Sequence, residues 1–222
     1  MTEIKKVAVF GAGLMGAGIA AQVANAGVPV VLLDIAPKDG DSPRTIAEGA
    51  VEKLLKTDPA PLMHRLNVRL ITPGNIDDNM DLIADCDWIV EAIIERLDLK
   101  QSLYEKIEAA RKPGSIVSSN TSTLPLGVLT EGMAESFKAD FLITHFFNPP
   151  RYLRLLEVVA GDRTRADAVD ALIRFADFNL GKTIVPCKDT PGFIANRIGI
   201  YWLQCGVVRA MDEGLTIEEA DA

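Results

Sequence analysis

One histidine and one glutamate in the segment THFFNPPRYLRLLEVV, residues 144–159, are of the right types for proton transfer. His145 lies at the end of one apolar run and Glu157 lies in the next, with Pro149-Pro150 between them. A chain reversal at the prolines would bring the two side chains together. A carboxylate on one imidazole nitrogen fixes the tautomer and stabilises the imidazolium formed when the other nitrogen takes a proton. The pair predicts a general base, although a packed core histidine and a surface glutamate explain this stretch equally well.

A second group of polar residues is the loop SSNTSTLPL, residues 118–126, which follows a predicted strand and precedes a short helix. Ligands of open α/β sheets bind beyond the carboxyl ends of the strands. We therefore expect these hydroxyls and Asn120 to face the same cleft as His145. A Ser/Thr turn that merely caps the next helix is the alternative interpretation.

The stretch VAVFGAGLMGAGIA contains a GxGxxG pattern between a predicted strand and a predicted helix. The first glycine permits a tight turn, and the second lets a pyrophosphate approach the backbone at the helix N-terminus. The third glycine allows the helix to pack closely on the strand. The residues expected to contact a cofactor in this loop are Gly11, Gly13, Leu14, Met15 and Gly16.

Asp34 ends the next predicted strand, 18 residues after Gly16. A carboxylate there accepts hydrogen bonds from the adenosine ribose hydroxyls and repels a 2′-phosphate, and no arginine follows it directly. The spacing therefore predicts NAD rather than NADP as the cofactor. FAD binders and adenylate binders share the fingerprint, and a glycine-rich turn without a ligand is the structural alternative.

Hydrophobic patterning predicts the elements that position these residues. Strands are predicted over residues 7–10, 28–34, 68–72, 88–94, 115–119, 141–147 and 153–161. Helices are predicted over residues 14–26, 76–86 and 98–112, with another starting at Ser42 as N-cap and Pro43 as its first residue. Strands that alternate with helices predict an α/β fold with a doubly wound, mainly parallel sheet.

The pattern changes near Asp189. Thr190 and Pro191 predict the start of a helix that is apolar on most faces, and therefore buried, and that stops at Gly214. Thr216 to Glu219 has capping-box spacing, and only three residues follow it. We therefore expect an all-α domain that is truncated here. The expected boundaries are 1–186 for the sheet domain and 187–222 for the start of the helical domain.

Composition excludes several classes of protein. The chain has 222 residues and a formal net charge of −8, which argues against a nucleic-acid partner. Its three cysteines are far apart, so reduced thiols are expected and no metal site is predicted. No apolar run approaches the ~18 residues of a membrane span, and the N-terminus leaves no room for a signal peptide before the first strand. We expect a soluble, cytoplasmic protein.

Taken together, these segments resemble the 3-hydroxyacyl-CoA dehydrogenases of fatty-acid β-oxidation. The matching stretches are GAGLMGAGIA with Asp34, IVEAIIE, SNTST, HFFNPP with LLEVV, and KDTPGFIANR, and they occur in the family's order. HFFNPPRYLRLLE is most similar to long bacterial members that carry an enoyl-CoA hydratase module. The resemblance implies a Rossmann-type NAD domain followed by a helical domain that forms a homodimer.

The resemblance also implies roles for individual residues. His145 aligns with the general base, Glu157 with its partner, and Ser122 and Asn196 with residues that hydrogen-bond the acyl-CoA substrate near C3. Three further residues align with contacts to the nicotinamide half of NAD: Glu95, Lys100 and Asn148. By itself, Lys100 is typical of a solvated helix lysine, and Glu95 of a strand end or a helix start.

The chain departs from the family in the nearly absent helical domain and in the proline-rich insert KTDPAPLMHRL. Four basic residues in or near the insert could meet CoA phosphates, although a solvated basic helix face is the preferred interpretation: Lys38, Arg44, Lys53 and Arg65. His64 is interpreted as a bystander. The predicted function is NAD-dependent oxidation of an L-3-hydroxyacyl-CoA. Its rivals are a β-hydroxyacid dehydrogenase acting on free acids, and a crystallin-like protein without catalysis.

Overall fold

The computed structural model describes residues 3–37 and 42–222, in which eight strands form a single sheet. The strands are β1 (Val7–Phe10), β2 (Val30–Asp34), β3 (Ile71–Asn75), β4 (Trp88–Glu91), β5 (Ile116–Ser119), β6 (Phe141–Phe146), β7 (Leu155–Ala160) and β8 (Thr183–Pro186). Their order is β3-β2-β1-β4-β5-β6-β7-β8, and every neighbouring pair is parallel except β6 with β7. This confirms the predicted α/β, Rossmann-type, mainly parallel sheet.

Helices cover both faces of the sheet. Those on the faces are α1 (Leu14–Asn25), α2 (Thr45–Leu54), α3 (Leu97–Ala110), α4 (Leu126–Leu129), α5 (Glu135–Asp140) and α6 (Ala166–Phe178). Two further helices, α7 (Ala195–Asp212) and α8 (Ile217–Ala220), follow β8 and bury no side chain. Alternate residues of β1 point to opposite faces: Val7 and Val9 join the core beneath α1, and Ala8 and Phe10 join the core beneath α3. Two hydrophobic cores with the sheet between them follow from this alternation.

Several predicted boundaries were wrong. The strand predicted at 68–72 is instead the last turn of a 3₁₀ helix, Arg65–Leu70, followed by β3. β3 contains Pro73 and Gly74, which weaken the sequence signal and are tolerated because β3 is an edge strand. β4 ends at Glu91, so residues 92–94 are loop. Arg44, not Ser42, occupies the N-cap of α2.

The helix predicted to begin at Pro191 begins at Ala195 instead. Gly192 has a φ of +76°, which is outside the helical region, so Pro191-Gly192 forms a turn before the helix. α7 ends at Asp212, two residues before the predicted stop at Gly214, and Thr216 and Glu219 form the predicted capping box. The prediction that this helix is buried was wrong, because none of its side chains is buried. Within the described ranges, no helix is long and apolar enough to cross a bilayer.

Candidate active site

The glycine loop between β1 and α1 forms a cradle that larger residues would fill. Gly11 has a φ of +96°, and a Cβ there would lie 2.5 Å from the carbonyl oxygen of Ala92. A Cβ on Gly16 would collide with the carbonyl oxygen of Gly11, so Gly16 lets α1 pack against β1. A Cβ on Gly13 would meet nothing within 4 Å, so Gly13 faces open space at the N-terminus of α1. This geometry suits a pyrophosphate bound by backbone amides.

Asp34 lies at the carboxyl end of β2, beside the same loop. Its Oδ2 accepts a hydrogen bond from the Ala12 N–H at 2.5 Å, and its Oδ1 accepts one from the Ile35 N–H at 2.7 Å. Asp34 and Gly11 line a cavity of about 360 Å³ whose other walls include Ile76 and Ile93. An apolar slot with a carboxylate at its edge has the shape and chemistry that an adenosine requires.

His145 and Glu157 lie directly opposite each other on the antiparallel strands β6 and β7. Nδ1 of His145 is 2.7 Å from Oε2 of Glu157, and both residues are buried. The rings of Phe147 and Phe193 pack on the imidazole, with centroids 4.6 and 5.6 Å away. No described residue hydrogen-bonds Nε2 of His145, which leaves that nitrogen available to a ligand. A buried carboxylate on Nδ1 fixes the tautomer in which Nε2 accepts a proton.

The second carboxylate oxygen of Glu157 also accepts hydrogen bonds. Oε1 accepts hydrogen bonds from the backbone N–H groups of Ile194, at 3.0 Å, and Ala195, at 2.8 Å. These two residues begin α7, which carries Asn196. Glu157 thus connects His145 with the first turn of α7.

The serine loop lies at the carboxyl end of β5, next to β6. Oδ1 of Asn120 accepts a hydrogen bond from the Phe146 N–H at 2.9 Å, so the loop is tied to the residue after His145. Glu95 holds the loop from the other side, because its Oε1 accepts from the Ser122 N–H at 3.3 Å and from the Thr123 hydroxyl at 3.0 Å. Burial opposes ionisation of Glu95, but hydrogen bonding by Thr121 and Thr123 and the charge of Lys100 outweigh it, so its pKa lies below the ordinary value.

Lys100 is not the solvated lysine that its sequence context suggests. It is 1% exposed, and its Nζ lies 2.6 Å from Oε1 of Glu91 and 3.2 Å from Oε2 of Glu95. The other Glu91 oxygen accepts from the hydroxyls of Tyr104, at 2.7 Å, and Ser119, at 2.6 Å. Burial and the charge of Glu91 raise the pKa of Tyr104 well above its ordinary value.

Glu91 had no predicted role, although its sequence context contains a signal for one. A carboxylate in the apolar strand WIVE requires a buried partner, and Lys100 lies nine residues further along the chain. Glu95 does not end the strand as predicted. It lies in the loop between β4 and α3, where it contacts both Lys100 and the serine loop.

Other predicted residues surround the site without hydrogen-bonding one another. Asn148 is exposed and lines a second cavity, of about 340 Å³, together with Gly13 and Leu14. Met15 packs against the core, and Leu14 is exposed. The side chains of Ser122 and Asn196 form no hydrogen bond with any described residue, so both remain available to a ligand.

The basic residues near the insert are exposed where the structure describes them, and Lys38 lies outside the described residues. Lys53 lines the second cavity beside Asp58 and Pro59 of the insert. His64 is exposed, and its Nδ1 accepts a hydrogen bond from the Leu66 N–H at 3.2 Å, which caps a 3₁₀ turn. This local contact is compatible with the interpretation of His64 as a bystander.

The chain is similar to known proteins over nearly its whole length. The family described as "3-hydroxyacyl-CoA dehydrogenase, NAD binding domain" matches residues 6–190. A probable 3-hydroxyacyl-CoA dehydrogenase of Deinococcus radiodurans is 49% identical over 99% of this chain and 63% of its own length. A putative fatty acid oxidation complex trifunctional enzyme of Rickettsia felis is 47% identical over 99% of this chain and 30% of its own length. The chain therefore spans less than two thirds of these relatives.

Solved structures show the same fold. The M. tuberculosis FadB2 structure superposes with a TM-score of 0.82 at 26% identity, covering 97% of this chain and 75% of that one. The 3-hydroxybutyryl-CoA dehydrogenase of Escherichia coli K12 superposes with a TM-score of 0.77 at 28% identity, covering 96% of this chain and 44% of that one.

Proposed function

Because the chain belongs to the 3-hydroxyacyl-CoA dehydrogenase family and matches its NAD-binding domain, we propose that it contributes to the reversible oxidation of L-3-hydroxyacyl-CoA to 3-ketoacyl-CoA in fatty-acid β-oxidation. The observation that carries this proposal is the 2.7 Å contact between the His145 imidazole and the buried Glu157 carboxylate. A base is needed because hydride leaves C3 of the substrate as the proton leaves its hydroxyl oxygen.

The residues that hold NAD in this proposal are those of the glycine loop and Asp34. The open space above Gly13 accommodates the pyrophosphate at the N-terminus of α1, and Asp34 accepts from the adenosine ribose. Glu95 and Asn148 contact the nicotinamide half, and the buried Lys100 acts through its ion pair with Glu95. When bound, NAD supplies the hydride acceptor.

The protein's own residues handle the proton. Nε2 of His145 takes the proton from the C3 hydroxyl, and the Glu157 carboxylate stabilises the imidazolium that forms. Ser122 and Asn196 hydrogen-bond the oxygen that becomes the ketone. Their free hydroxyl and amide groups at the edge of the site support these roles.

Replacement of the base tests the proposal directly. With saturating acetoacetyl-CoA and NADH, His145→Gln is expected to lower kcat by about 10²-fold or more, because general-base catalysis contributes about 10²–10⁴-fold. The exposed His64→Gln variant is the matched control and should retain activity. Near wild-type turnover by His145→Gln would contradict the role given to His145.

The choice of substrate separates this proposal from its rivals. Oxidation of NADH with acetoacetyl-CoA but not with free acetoacetate supports a CoA-dependent enzyme. Equal rates with both substrates support a free-acid dehydrogenase. No oxidation with either, by a protein that binds NAD, supports a non-enzymatic role.

The domain boundary near residue 187, the cytoplasmic location and a homodimer formed through the helical region are parts of the same proposal. Exposed apolar side chains along α7, such as Tyr201, Trp202 and Met211, support an interface there. Sedimentation at several concentrations tests the dimer, because a monomer at all of them would contradict it.

A further inference from the structure

Phe193 has an unusual backbone conformation immediately before α7. Its φ is +46°, and it is the one non-glycine residue with positive φ in the described ranges 3–37 and 42–222. A bulky aromatic residue in the left-handed region is strained, and such strain persists only where surrounding contacts impose it. Phe193 is 2% exposed, and its ring packs 5.6 Å from the His145 ring. The strained residue therefore contacts the proposed base.

The strain belongs to a tight turn. The Phe193 N–H donates to the Thr190 carbonyl oxygen at 2.9 Å, with Pro191 and Gly192 as the two central residues. Proline followed by a glycine of positive φ is the sequence of a type II turn, and Gly192 has a φ of +76°. Phe193, with its positive φ, follows this turn directly, and α7 begins two residues later.

The turn aims two peptide groups at the site. The N–H groups of Ile194 and Ala195 point at Oε1 of Glu157, while Oε2 of the same carboxylate faces His145. Hydrogen bonds to a carboxylate are about twice as strong as neutral ones. With both oxygens engaged, the carboxylate cannot rotate away from the imidazole.

The turn is also anchored to the serine loop. The side chain of Asp189 accepts hydrogen bonds from the N–H groups of Leu126, at 2.9 Å, and Gly127, at 3.4 Å. These are at the start of α4, directly after the loop that carries Ser122. The segment from Asp189 to Ala195 therefore connects the serine loop, the Glu157 carboxylate and the first turn of α7.

We propose that the turn Thr190–Phe193 is a positioning element for the His145–Glu157 pair, with Phe193 as its positioning residue. The turn holds Glu157 in the orientation that faces Nδ1 of His145. It also fixes the position of Asn196 relative to the His145–Glu157 pair. The inference rests on the proposed function in treating His145 as the base, but the geometry that it explains is measurable without turnover.

A matched pair of glycine substitutions tests this role. Gly192→Ala places a side chain in a left-handed position within the turn, and Gly27→Ala does the same at a φ of +77° at the end of α1, far from the site. A Cβ at Gly27 meets nothing within 4 Å, whereas one at Gly192 lies 3.3 Å from Arg197. Both variants carry comparable backbone strain, and only Gly192→Ala disturbs the turn.

The direct readout is nuclear magnetic resonance of the imidazoles. The chain has two histidines, and the exposed His64 serves as an internal reference for His145. In the wild-type protein and in Gly27→Ala, the Nδ1–H proton of His145 is expected far downfield and protected from exchange by Glu157. In Gly192→Ala this resonance should broaden or move, and kcat should fall roughly tenfold to a hundredfold, because small misplacements of catalytic groups have large effects.

The experiment distinguishes failure of the positioning role from failure of the proposed function. An unchanged His145 resonance in Gly192→Ala overturns the positioning role, whatever happens to kcat. A changed resonance in a protein whose wild type shows no turnover supports the positioning role and counts against the proposed function. Should Gly192→Ala not fold, Phe193→Gly replaces it, because glycine adopts the same φ without strain and removes the ring contact. An unchanged resonance and unchanged kcat in Phe193→Gly overturn the proposal.

Discussion

His145 and Glu157 are cross-strand neighbours in the only antiparallel pair among the strands of the described residues, and 2.7 Å separates Nδ1 from Oε2. The pair exists because β7 reverses against β6, so that two residues far apart along the chain become direct opposites in the sheet. The carboxylate is 1% exposed, so its partners on both oxygens decide how it is oriented.

Glu157→Gln should lower kcat by about 10²-fold or more, because the carboxylate that orients the base is lost, with little change in the Kd for NAD. Glutamine can keep one oxygen on the N–H groups of Ile194 and Ala195, but its NH₂ group then faces His145 and selects the wrong tautomer. Steady-state kinetics and NAD titration measure the two quantities. The exposed Glu135→Gln is the control, and a kcat equal to that of the control would contradict the assignment.

Two glycines of the cofactor loop should respond differently to the same substitution. Gly16→Ala should lower the free energy of unfolding by about 1–3 kcal/mol, because the new Cβ collides with the backbone of Gly11. Gly13→Ala should leave unfolding almost unchanged and weaken NAD binding, because its Cβ enters the open space above α1. Urea unfolding and NAD titration of both variants check this contrast, and tight NAD binding by Gly13→Ala would argue against the pyrophosphate position.

Asp34→Ser should raise the Kd for NAD about tenfold to a hundredfold, because hydrogen bonds to a charged group contribute about 1.5–3 kcal/mol. It should also reduce the discrimination against NADP, because the carboxylate that repels a 2′-phosphate is gone. Isothermal titration with both nucleotides measures the two effects. Asp81→Asn, on an exposed side chain of a 3₁₀ turn, is the control and should bind NAD normally.

Lys100→Met should lower the free energy of unfolding by about 3–5 kcal/mol, because the fully buried Glu91 loses its cationic partner. The double variant Glu91→Gln/Lys100→Met should lose less than the sum of the single variants, since no buried charge is left unpaired. Urea unfolding provides the comparison. Lys106→Met removes an exposed ion pair with Asp77 and should change stability by less than about 1 kcal/mol. A strictly additive double variant would show that the pair is not coupled.

Lys182 predicts a dependence of stability on alkaline pH. It is buried against the carbonyl oxygens of Pro150 and Leu153, and burial lowers its pKa from 10.5 to about 8. Between pH 8 and 10.5 the unfolded chain binds this proton more readily than the folded chain, so its contribution to stability grows as pH rises through that window. The difference in unfolding free energy between wild type and Lys182→Met should follow this trend. A difference that is constant with pH would contradict it.

Short-range sequence patterns determined many of the structural elements of this protein and part of its cofactor site. The glycine fingerprint, Asp34 and the alternation of strands with helices depend on spacing within a few residues, and each has one dominant structural solution. The proximity of His145 and Glu157 was also predicted, because two prolines between two apolar runs indicate a reversal, but a core histidine and a surface glutamate explained the same stretch equally well. A reversal of that kind leaves few registers open to the two strands.

Only the tertiary structure decided the rest. Whether Lys100 is solvated depends on what packs over α3, and its burial beside Glu91 comes from the pairing of β4 with neighbours distant in sequence. The start of α7 depends on a left-handed backbone at Phe193, which no local preference of phenylalanine favours and which contacts with the site impose. Both features result from long-range packing, which overrides local propensity where charges and strained turns are buried together.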